Sequence, residues 1–302
     1  MGWFEGFQTT TVTVGSIDLH VRFGGPSSAP PVLLLHGYPQ THAMWHRVAQ
    51  RLAPRFRLVM PDLRGYGDST RPPEEPAPAP PHAAMSKRAL AADFAGLMSA
   101  LGHQRFAVVG HDRGARVAHR LALDQRARVM RLALLDIVPT FDMYAHVSRE
   151  FATWYYHWFF LIQPFPLPER LIGADPAFYL RWTLGGWGAD GLAAYEPEAL
   201  AEYERCFCRA ETIHASCEDY RAGASIDLEH DRASRAEGER IACETLVLWG
   251  ARGVVGRLYE PLALWQAQCE RPVIGDALDA GHFIAEERPD DTAARLLDFL
   301  AG

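Results

Sequence analysis

Apolar and polar residues along this chain follow two alternating patterns, one typical of strands and the other of helices. Short runs rich in Val, Ile, Leu and Phe are typical of buried strands in a parallel sheet. They are Pro31–Leu35, Phe56–Met60, Phe106–Gly110, Val129–Leu135, Thr245–Trp249 and the stretch before Ala280, preceded by a predicted antiparallel hairpin of Thr9–Val14 and Ile17–Phe23. The pattern therefore predicts eight strands.

Between these runs, apolar residues recur with helical spacing. The clearest helix is predicted at Lys87–Leu101, where Leu90, Phe94 and Leu97 mark one face and Ser86 is the N-cap. Strands that alternate with amphipathic helices are typical of α/β proteins. We therefore expect a mostly parallel sheet of eight strands with helices on both faces.

The alternation stops in the middle of the chain. The roughly 90 residues from Pro139 to Asp231 are aromatic and helical, and they are too many for an ordinary connection between two strands. We expect them to form a helical cap, residues 139–231, inserted between two parts of the core, residues 1–138 and 232–302. The proline-rich stretch 71–81 is expected to be a surface loop of the core.

Composition narrows the set of partners. The 37 acidic residues outnumber the 30 basic ones, and the net charge of −7 excludes the broad cationic surface that nucleic acids require. Lys87 is the one lysine of the chain, so almost every positive charge is an arginine. The sequence shows no signal peptide or membrane span, and its odd number of cysteines favours a reducing compartment. We expect a cytoplasmic protein without a nucleic-acid or membrane partner, and a homodimer is one option for its assembly.

A candidate nucleophile stands directly after the predicted strand Phe106–Gly110. The residues Gly110-His111-Asp112-Arg113-Gly114 have the spacing G-x-D-x-G, with aspartate where a nucleophile elbow usually carries serine. A carboxylate, with a reference pKa of about 3.9, is already ionised at neutral pH and needs no base to attack saturated carbon. The ester that it forms must then be hydrolysed, so a histidine is required for the second step.

The remaining catalytic groups follow from their places at strand ends. His282 lies in a loop after the last predicted strand and is the candidate base. Tyr38 follows the strand Pro31–Leu35, where its backbone N–H, together with that of Arg113, is expected to form the oxyanion hole. The loop after Trp249 has no carboxylate, so Asp136 is predicted to orient His282. Its alternative is a structural acid that caps the first turn of the cap.

Two arginines lie one helical turn apart just after the candidate nucleophile. Arg113 and Arg116 are either solvated surface residues or buried cations, and a buried cation without a counter-charge is costly. A substrate anion is the partner that we expect, since a guanidinium is shaped to hold a carboxylate. The sequence therefore favours a small anionic substrate.

Seven segments together resemble the fluoroacetate dehalogenases, a branch of the α/β-hydrolases. They are HGYPQTHAMWHRV, PDLRGYGDS, GHDRGARVAHRLALD, LLDIVPT, YHW, CEDYRAGA and AGHF, and they span nearly the whole chain. The resemblance implies an α/β-hydrolase fold with Asp112 as nucleophile, His282 as base, Asp136 as its partner, and Arg113 with Arg116 as the carboxylate clamp. It further implies that fluoroacetate and other haloacetates are hydrolysed to glycolate and halide.

The same resemblance assigns a halide site to the cap. It implies that His157, Trp158 and Tyr220 donate hydrogen bonds to the departing halide and that Trp187 is a wall of the pocket. A small, strongly hydrated fluoride ion needs several such donors in a dry site. Aromatic packing within the cap is the alternative for this cluster.

Two other functions share the same motifs. An epoxide hydrolase uses the same aspartate and histidine with two cap tyrosines, for which Tyr156 and Tyr220 are candidates, although a neutral epoxide gives Arg113 no partner. A non-catalytic receptor for a small acid is a more distant alternative. No cofactor is required, and a metal site at His42 and His46 lacks an evident acidic third ligand, so no metal is expected.

Overall fold

Eight strands form one sheet in the computed structural model, which describes residues 3–71 and 80–302. The strands are β1 (Gln8–Val14), β2 (Ile17–Gly24), β3 (Pro31–Leu35), β4 (Arg57–Pro61), β5 (Phe106–His111), β6 (Val129–Leu135), β7 (Glu244–Gly250) and β8 (Val273–Leu278). Their order across the sheet is β1-β2-β4-β3-β5-β6-β7-β8. The eight strands predicted from the sequence are confirmed, and the predicted boundaries agree or differ by one residue.

The sheet is antiparallel at one edge and parallel elsewhere. β2 pairs antiparallel with β1 and with β4, while every pairing from β4 through β3 to β8 is parallel. The central strands are buried on both faces, which explains their unbroken apolar sequences. The parallel arrangement places the carboxyl ends of β3, β5, β6, β7 and β8 along one edge, and the loops that leave these ends carry the candidate site.

Fifteen α-helices connect and cover the strands in the described part of the chain. The first three are α1 (His46–Leu52), α2 (Lys87–Ala100) and α3 (Asp112–Asp124), and four more follow β7: α12 (Val254–Leu258), α13 (Pro261–Gln266), α14 (Ile284–Glu287) and α15 (Pro289–Ala301). The helix predicted after Ser86 is confirmed, and the Ser86 hydroxyl caps it by accepting the Ala89 N–H at 3.2 Å.

Strand order places the helices on two faces. The connection through α1 leads from β3 to β4, whereas those through α2 and α3 lead in the opposite direction across the sheet, to β5 and then β6. Right-handed crossovers therefore put α1 on one face and α2 with α3 on the other. In agreement, α1 packs against α15 and α2 packs against α3. The expected coverage of both faces is confirmed.

Eight helices lie between β6 and β7, where the sequence predicts a cap. They are α4 (Thr140–Ala145), α5 (Arg149–Trp154), α6 (His157–Phe160), α7 (Leu167–Ala174), α8 (Pro176–Trp187), α9 (Pro197–Phe207), α10 (Ala210–Gly223) and α11 (Ile226–Ala236). The predicted end of the cap, residue 231, lies inside α11. The division into core and cap domains stays a prediction, as does the loop at 71–81, most of which lies outside the described residues.

Surface and redox features were also expected from the sequence. Within residues 3–71 and 80–302, no helix combines the length and the hydropathy needed to cross a membrane. All five cysteines are free thiols. Large apolar side chains are exposed on α7 and α8, among them Leu171, Phe178 and Trp182. Homodimer formation stays a prediction.

Candidate active site

Asp112 lies at the sharp turn from β5 into α3. Its φ angle is +48°, in the left-handed region that non-glycine residues rarely adopt, and such a conformation costs about 1–3 kcal/mol. The turn places the carboxylate at the carboxyl edge of the sheet and at the first residue of α3. Asp112 is therefore held in the strained position that a nucleophile elbow requires.

The glycines beside this turn provide space rather than conformational freedom. A β-carbon at Gly114 would lie 2.2 Å from the carbonyl oxygen of His36, and one at Gly37 would lie 2.5 Å from the β-carbon of Asp112. Neither glycine has a positive φ angle. These positions need glycine because the loop after β3 packs directly against the elbow.

The loop after β3 also contributes the first predicted oxyanion donor. The backbone N–H of Tyr38 donates to Asp112 Oδ1 at 2.9 Å, so it faces the carboxylate at which an ester would form. The backbone N–H of Arg113 lies in the first turn of α3, where amide groups have no partner within the helix. The geometry thus brings the Tyr38 donor to the Asp112 carboxylate, while the role of the Arg113 N–H stays a prediction.

His282 and Asp136 form a buried pair beside Asp112. His282 Nδ1 lies 2.5 Å from Asp136 Oδ2, while His282 Nε2 lies 3.7 Å from Asp112 Oδ2. The second oxygen of Asp136 accepts the Gly250 N–H at 2.8 Å. Asp136 follows β6 with a φ angle of +52° and caps no helix of the cap, so it occupies the place predicted for the acid that orients His282.

Charge around the site sets the protonation of both catalytic groups. Burial raises the pKa of Asp112, but the positive charges near it, led by His282, outweigh this effect and bring the pKa to about 2. Burial lowers the pKa of His282, yet its hydrogen bond to Asp136 and the charge of that carboxylate outweigh burial and raise it. At neutral pH, Asp112 is therefore ionised, which is the state that a carboxylate nucleophile requires.

Arg113 is buried next to Asp112 and has an anionic partner within the protein. Its Nε donates to Asp219 Oδ2 at 2.6 Å and its Nη2 donates to the Asp219 carbonyl at 2.6 Å, while the guanidinium stacks on the Tyr220 ring. The sequence does not predict this partner. Because the Nε–Nη2 edge of the guanidinium is occupied, its opposite edge, formed by Nη1 and the second N–H of Nη2, is the one left for a substrate carboxylate.

Arg116 lies one turn further along α3 and is also buried. Its Nη1 donates to Val138 O at 3.1 Å and to Thr140 Oγ1 at 2.9 Å, whereas its Nε has no hydrogen-bond partner among the described residues. Burial, followed by the charge of Arg113, lowers its pKa. The cation is thus poorly compensated, and a second anion near Asp112 would stabilise it.

The three cap residues assigned to the halide lie in mutual contact. The ring centroid of Tyr220 lies 5.5 Å from that of His157 and 6.2 Å from that of Trp158. His157 Nδ1 and the Tyr220 hydroxyl are buried without a hydrogen-bond partner in the described part of the chain. Burial lowers the pKa of His157 well below its usual value, so this imidazole is neutral and carries one N–H. An unpaired buried polar group costs about 1–3 kcal/mol.

Trp187 ends α8 and lies against both the cap and the base. Its ring centroid is 4.0 Å from that of His157 and 5.8 Å from that of His282. The Trp187 carbonyl accepts the His282 N–H at 3.0 Å, a close approach that depends on Gly281, where a β-carbon would lie 2.6 Å from the same oxygen. The ring therefore lies between His157 and His282, and its role as a wall of the pocket stays a prediction.

A buried ion network behind Arg113 was missed by reasoning from the sequence. Asp219 contacts Lys87 Nζ as well as Arg113, and Tyr66 donates to it at 3.1 Å. Burial raises the pKa of Asp219, but the charges of Arg113 and Lys87 outweigh it and lower the pKa. The only signal was that Lys87 is the one lysine of the chain and therefore not part of the arginine excess.

This network predicts a large loss of stability when Asp219 is neutralised. Asp219→Asn leaves Arg113 and Lys87 buried with one counter-charge fewer, and breaking a buried pair in this way costs about 3–5 kcal/mol. The free energy of unfolding in urea measures this loss. Asp279→Asn, at a side chain that is 80% exposed, is the matched control and should change it by about 0.5 kcal/mol or less. A loss below about 1 kcal/mol for Asp219→Asn would show that the network is not needed to hold Arg113.

Two further neighbours of the base were not predicted. The Tyr155 hydroxyl lies 3.3 Å from His282 Nδ1, and His111 Nε2 lies 2.8 Å from the His282 carbonyl. Tyr155 is adjacent in sequence to the Tyr156 proposed for an epoxide hydrolase, but the Tyr156 ring is only partly buried and lies beside Phe160, 6.5 Å between ring centroids. Both tyrosines lie in the turn between α5 and α6, and the conformation of this turn decides which of them faces the site.

The histidines considered for a metal have other partners. His42 Nδ1 lies 2.8 Å from Asp62 Oδ1, and His42 Nε2 accepts the Arg22 Nε–H at 3.1 Å. His20 completes a group of three side chains with ligand atoms within 4.8 Å of one another. Both ring nitrogens of His42 are engaged, and the nearby guanidinium opposes a cation, so this cluster does not favour a metal.

Comparison with known proteins identifies the family. The family model for the α/β-hydrolase fold matches residues 30–289. The chain belongs to the α/β-hydrolase family. This α/β-hydrolase is 45% identical over 298 residues to a fluoroacetate dehalogenase from Burkholderia sp, an alignment that covers 99% of this chain and 95% of that protein. The resemblance found in the sequence is thereby confirmed.

Other relatives have different descriptions. The α/β-hydrolase is 31% identical to a soluble epoxide hydrolase from Corynebacterium sp. (strain C12), with 91% of each chain covered. A solved structure described as an alpha/beta hydrolase from Nostoc sp PCC 7120 is 52% identical, with a TM-score of 0.92 and coverage of 98% of this chain and 99% of that one. Fold and hydrolase chemistry are thus shared among relatives, while the bond that is cleaved differs.

Proposed function

We propose that this α/β-hydrolase is a haloacetate dehalogenase that converts fluoroacetate, chloroacetate and bromoacetate to glycolate and halide. The observation that carries the proposal is the pair of buried arginines beside an ionised Asp112, one of them with an unpartnered N–H. A guanidinium pair next to the nucleophile suits a substrate whose reacting carbon is bonded to a carboxylate. The likeness to a fluoroacetate dehalogenase supports the same substrate class.

In the first step, a carboxylate oxygen of Asp112 attacks the α-carbon of the haloacetate. A carbon–oxygen bond forms, the carbon–halogen bond breaks, and its electron pair leaves with the halide. The Nη1 end of Arg113 and the Nε of Arg116 hold the substrate carboxylate, which fixes the α-carbon for attack. The product of this step is a glycolyl ester of Asp112.

Hydrolysis of that ester is the work of His282. Its Nε2, 3.7 Å from Asp112 Oδ2, takes a proton from a water molecule whose oxygen attacks the ester carbonyl. The oxyanion that forms is held by the backbone N–H groups of Tyr38 and Arg113. Collapse of this intermediate restores the Asp112 carboxylate, and glycolate leaves with the proton from His282.

Halide departure accounts for the unpartnered donors in the cap. A buried His157 Nδ1 and a buried Tyr220 hydroxyl, together with the indole N–H of Trp158, supply donors that can replace the water lost by a halide ion. The halide in turn accepts a hydrogen bond from each donor. Its binding therefore removes the free-energy cost of burying these polar groups without partners. Trp187 closes the same pocket from the side of His282.

Epoxide hydrolysis is the second candidate function, since relatives with that activity share the fold. It requires cap tyrosines that protonate the epoxide oxygen, and Tyr155 and Tyr220 both lie in the site. Asp219 weakens one argument against it, because Arg113 does not depend on the substrate for a partner. Arg116 still favours an anionic substrate, because its buried Nε has no hydrogen-bond partner in the described part of the chain.

The test is a direct comparison of substrates with purified protein. Fluoride release from fluoroacetate is followed with a fluoride electrode, and chloride release from chloroacetate with a chloride assay. With each substrate, we expect one halide ion to be released for every molecule of glycolate formed. Release of neither halide, together with hydrolysis of a small epoxide, would replace this proposal by the second candidate.

The two steps should respond differently to pH. Because the pKa of Asp112 is about 2, the halide burst of the first turnover should persist to about pH 4. Because the pKa of His282 is raised, its neutral form is lost as pH falls through that pKa, and kcat should then fall about tenfold per pH unit. Rapid-quench measurement of halide checks both. A burst that disappears together with kcat would contradict the assignment of the first step to Asp112.

A further inference from the structure

A cavity of about 230 Å³ is lined both by His282 and by exposed side chains. Its inner wall includes Tyr155, Trp187 and His282, which is only 2% exposed. Its outer wall includes Trp154, which is 39% exposed, and the exposed Arg257. Because buried and exposed side chains line one space, this cavity is a candidate path between solvent and His282.

The path is lined by two cations and by no carboxylate. Arg252 is compensated, because its Nε lies 2.9 Å from Asp279 Oδ1 and its Nη2 lies 3.4 Å from Asp190 Oδ1. The guanidinium of Arg257 has no hydrogen bond or ion pair within residues 3–71 and 80–302. It makes a cation–π contact with Trp154, with Cζ 5.6 Å from the ring centroid. Arg257 is thus an uncompensated charge at the outer end of the path.

A role for Arg257 in the dipole of its own helix does not account for this placement. α12 has only five residues, and Arg257 lies in its last turn, where a cation stabilises an exposed helix by about 0.3–1 kcal/mol. That effect would hold wherever the side chain pointed. The guanidinium instead lies over an indole that forms the wall of the cavity.

A cation beside the cavity would offset the repulsion between the negatively charged protein and an anionic substrate. The chain carries a net charge of −7, which on average repels an anionic substrate. Salt screens that distant charge over about 8 Å, whereas a cation within a few ångströms of the path acts almost unscreened. Low-dielectric walls such as Trp154 and Trp187 focus its field along the cavity.

We propose that this cavity is the path by which anions reach and leave the active site, and that Arg257 concentrates them at its entrance. The inference rests on the proposed function, since it takes the substrate to be a carboxylate and both products to be anions. Arg257 is a specificity-determining residue in this sense, because it favours charged haloacetates over neutral molecules of the same size.

The expected effect falls on capture of substrate and not on the chemical step. A unit charge about 8 Å from an anion in a watery medium changes the local anion concentration two- to threefold, and focusing increases this. We expect Arg257→Gln to lower kcat/KM for fluoroacetate about threefold at low salt, and Arg257→Glu about tenfold. The value of kcat should not change, because Arg257 touches none of the reacting groups.

Arg105→Gln and Arg105→Glu are matched controls. Arg105 is also exposed, and its guanidinium contacts only the Met130 sulfur, at 2.8 Å, in the described part of the chain. It precedes β5 and lies at the amino edge of the parallel strands, whereas Arg257 follows β7 at the carboxyl edge. The control variants therefore make the same change in net charge at the opposite end of the sheet.

The experiment measures kcat/KM for fluoroacetate between about 10 mM and about 300 mM ionic strength, set with sodium sulfate. We expect the loss in Arg257→Gln to shrink towards high salt, Arg257→Lys to retain most of the wild-type value, and the Arg105 variants to match the wild type. Equal behaviour of the Arg257 and Arg105 variants would overturn the proposal. A loss of kcat/KM that does not depend on ionic strength would also overturn it, because the role of Arg257 would then be packing on Trp154.

A second measurement does not depend on turnover. Iodide and neutral acrylamide both quench exposed tryptophans, and Arg257→Gln should reduce quenching by iodide while quenching by acrylamide stays the same. Unchanged iodide quenching would count against Arg257 as a collector of anions. Absence of halide release from every haloacetate by the wild type would instead refute the proposed function, so the two failures are distinguishable.

Discussion

Replacing Asp112 with asparagine is expected to stop halide release from haloacetates, with a loss of about 10⁴-fold or more in turnover. The amide has nearly the same shape and can still accept the Tyr38 N–H, which donates to Asp112 Oδ1 at 2.9 Å in the wild type. It is neutral, however, and lacks the nucleophilic oxygen that a carboxylate with a pKa of about 2 always offers. Chemistry is lost while the fold is kept.

The measurement combines halide release with substrate binding. Calorimetry should show that Asp112→Asn still binds fluoroacetate through Arg113 and Arg116, and intact mass should show that the amide has not reverted to the acid. Asp124→Asn, at the exposed end of the same helix, is the matched control and should retain turnover. Halide release above about 1% of the wild-type rate in the verified amide would exclude Asp112 as the nucleophile.

Replacing His282 with glutamine should separate the two halves of the reaction. Steady-state turnover is expected to fall about 10²- to 10⁴-fold, because no base remains to activate water. The first step needs only the Asp112 carboxylate, so one equivalent of halide per active site should still be released in a burst. The burst without turnover is the signature of an ester that forms and persists.

Mass spectrometry locates that ester. The intact protein should gain the mass of one carboxymethyl group, and peptide mapping should place it on Asp112. Asp136→Asn should resemble a weaker form of the same defect, since Asp136 holds His282 at 2.5 Å and orients it. If His282→Gln released no halide at all, the histidine would act in the first step, and the two-step assignment would be wrong.

The same burst also bears on the alternative functions. A non-catalytic receptor for a small acid gives no burst and no turnover with any substrate, although it binds the acid. An epoxide hydrolase forms an ester on the same aspartate, but from an epoxide and without halide. The identity of the trapped adduct therefore decides among the functions that share Asp112 and His282.

The buried surroundings of Arg113 change how its presence should be interpreted. From the sequence alone, a buried Arg113 is expected to need the substrate as its counter-charge. In the structure, Asp219 already binds one edge of the Arg113 guanidinium. Lys87 and Tyr66 in turn hold Asp219. The guanidinium is therefore positioned before substrate arrives, which reduces the entropy lost when a carboxylate binds.

Much of this protein was determined by its sequence alone. Unbroken apolar runs predict the parallel strands because those strands are buried on both faces, and helical spacing predicts α2 with Ser86 as its cap. The spacing Gly110-x-Asp112-x-Gly114 predicts the elbow because a short turn after a strand needs small residues at fixed offsets. Local order along the chain also placed Tyr38, Asp136 and His282 at strand ends, which a parallel sheet brings to one edge.

Only the tertiary structure decided how the groups from the cap meet this edge. Asp219 and Lys87 are 132 residues apart, and no local pattern relates them. Tyr155 rather than Tyr156 approaches His282 because of the turn between α5 and α6, whose conformation a run of aromatic residues leaves undefined. Arg257 lies over Trp154, at the cavity beside His282, because α12 packs beside α5. The strands themselves follow from short-range patterns, whereas charge pairing between the core and the segment 139–231 depends on contacts between distant residues, and these exist only once the chain has folded.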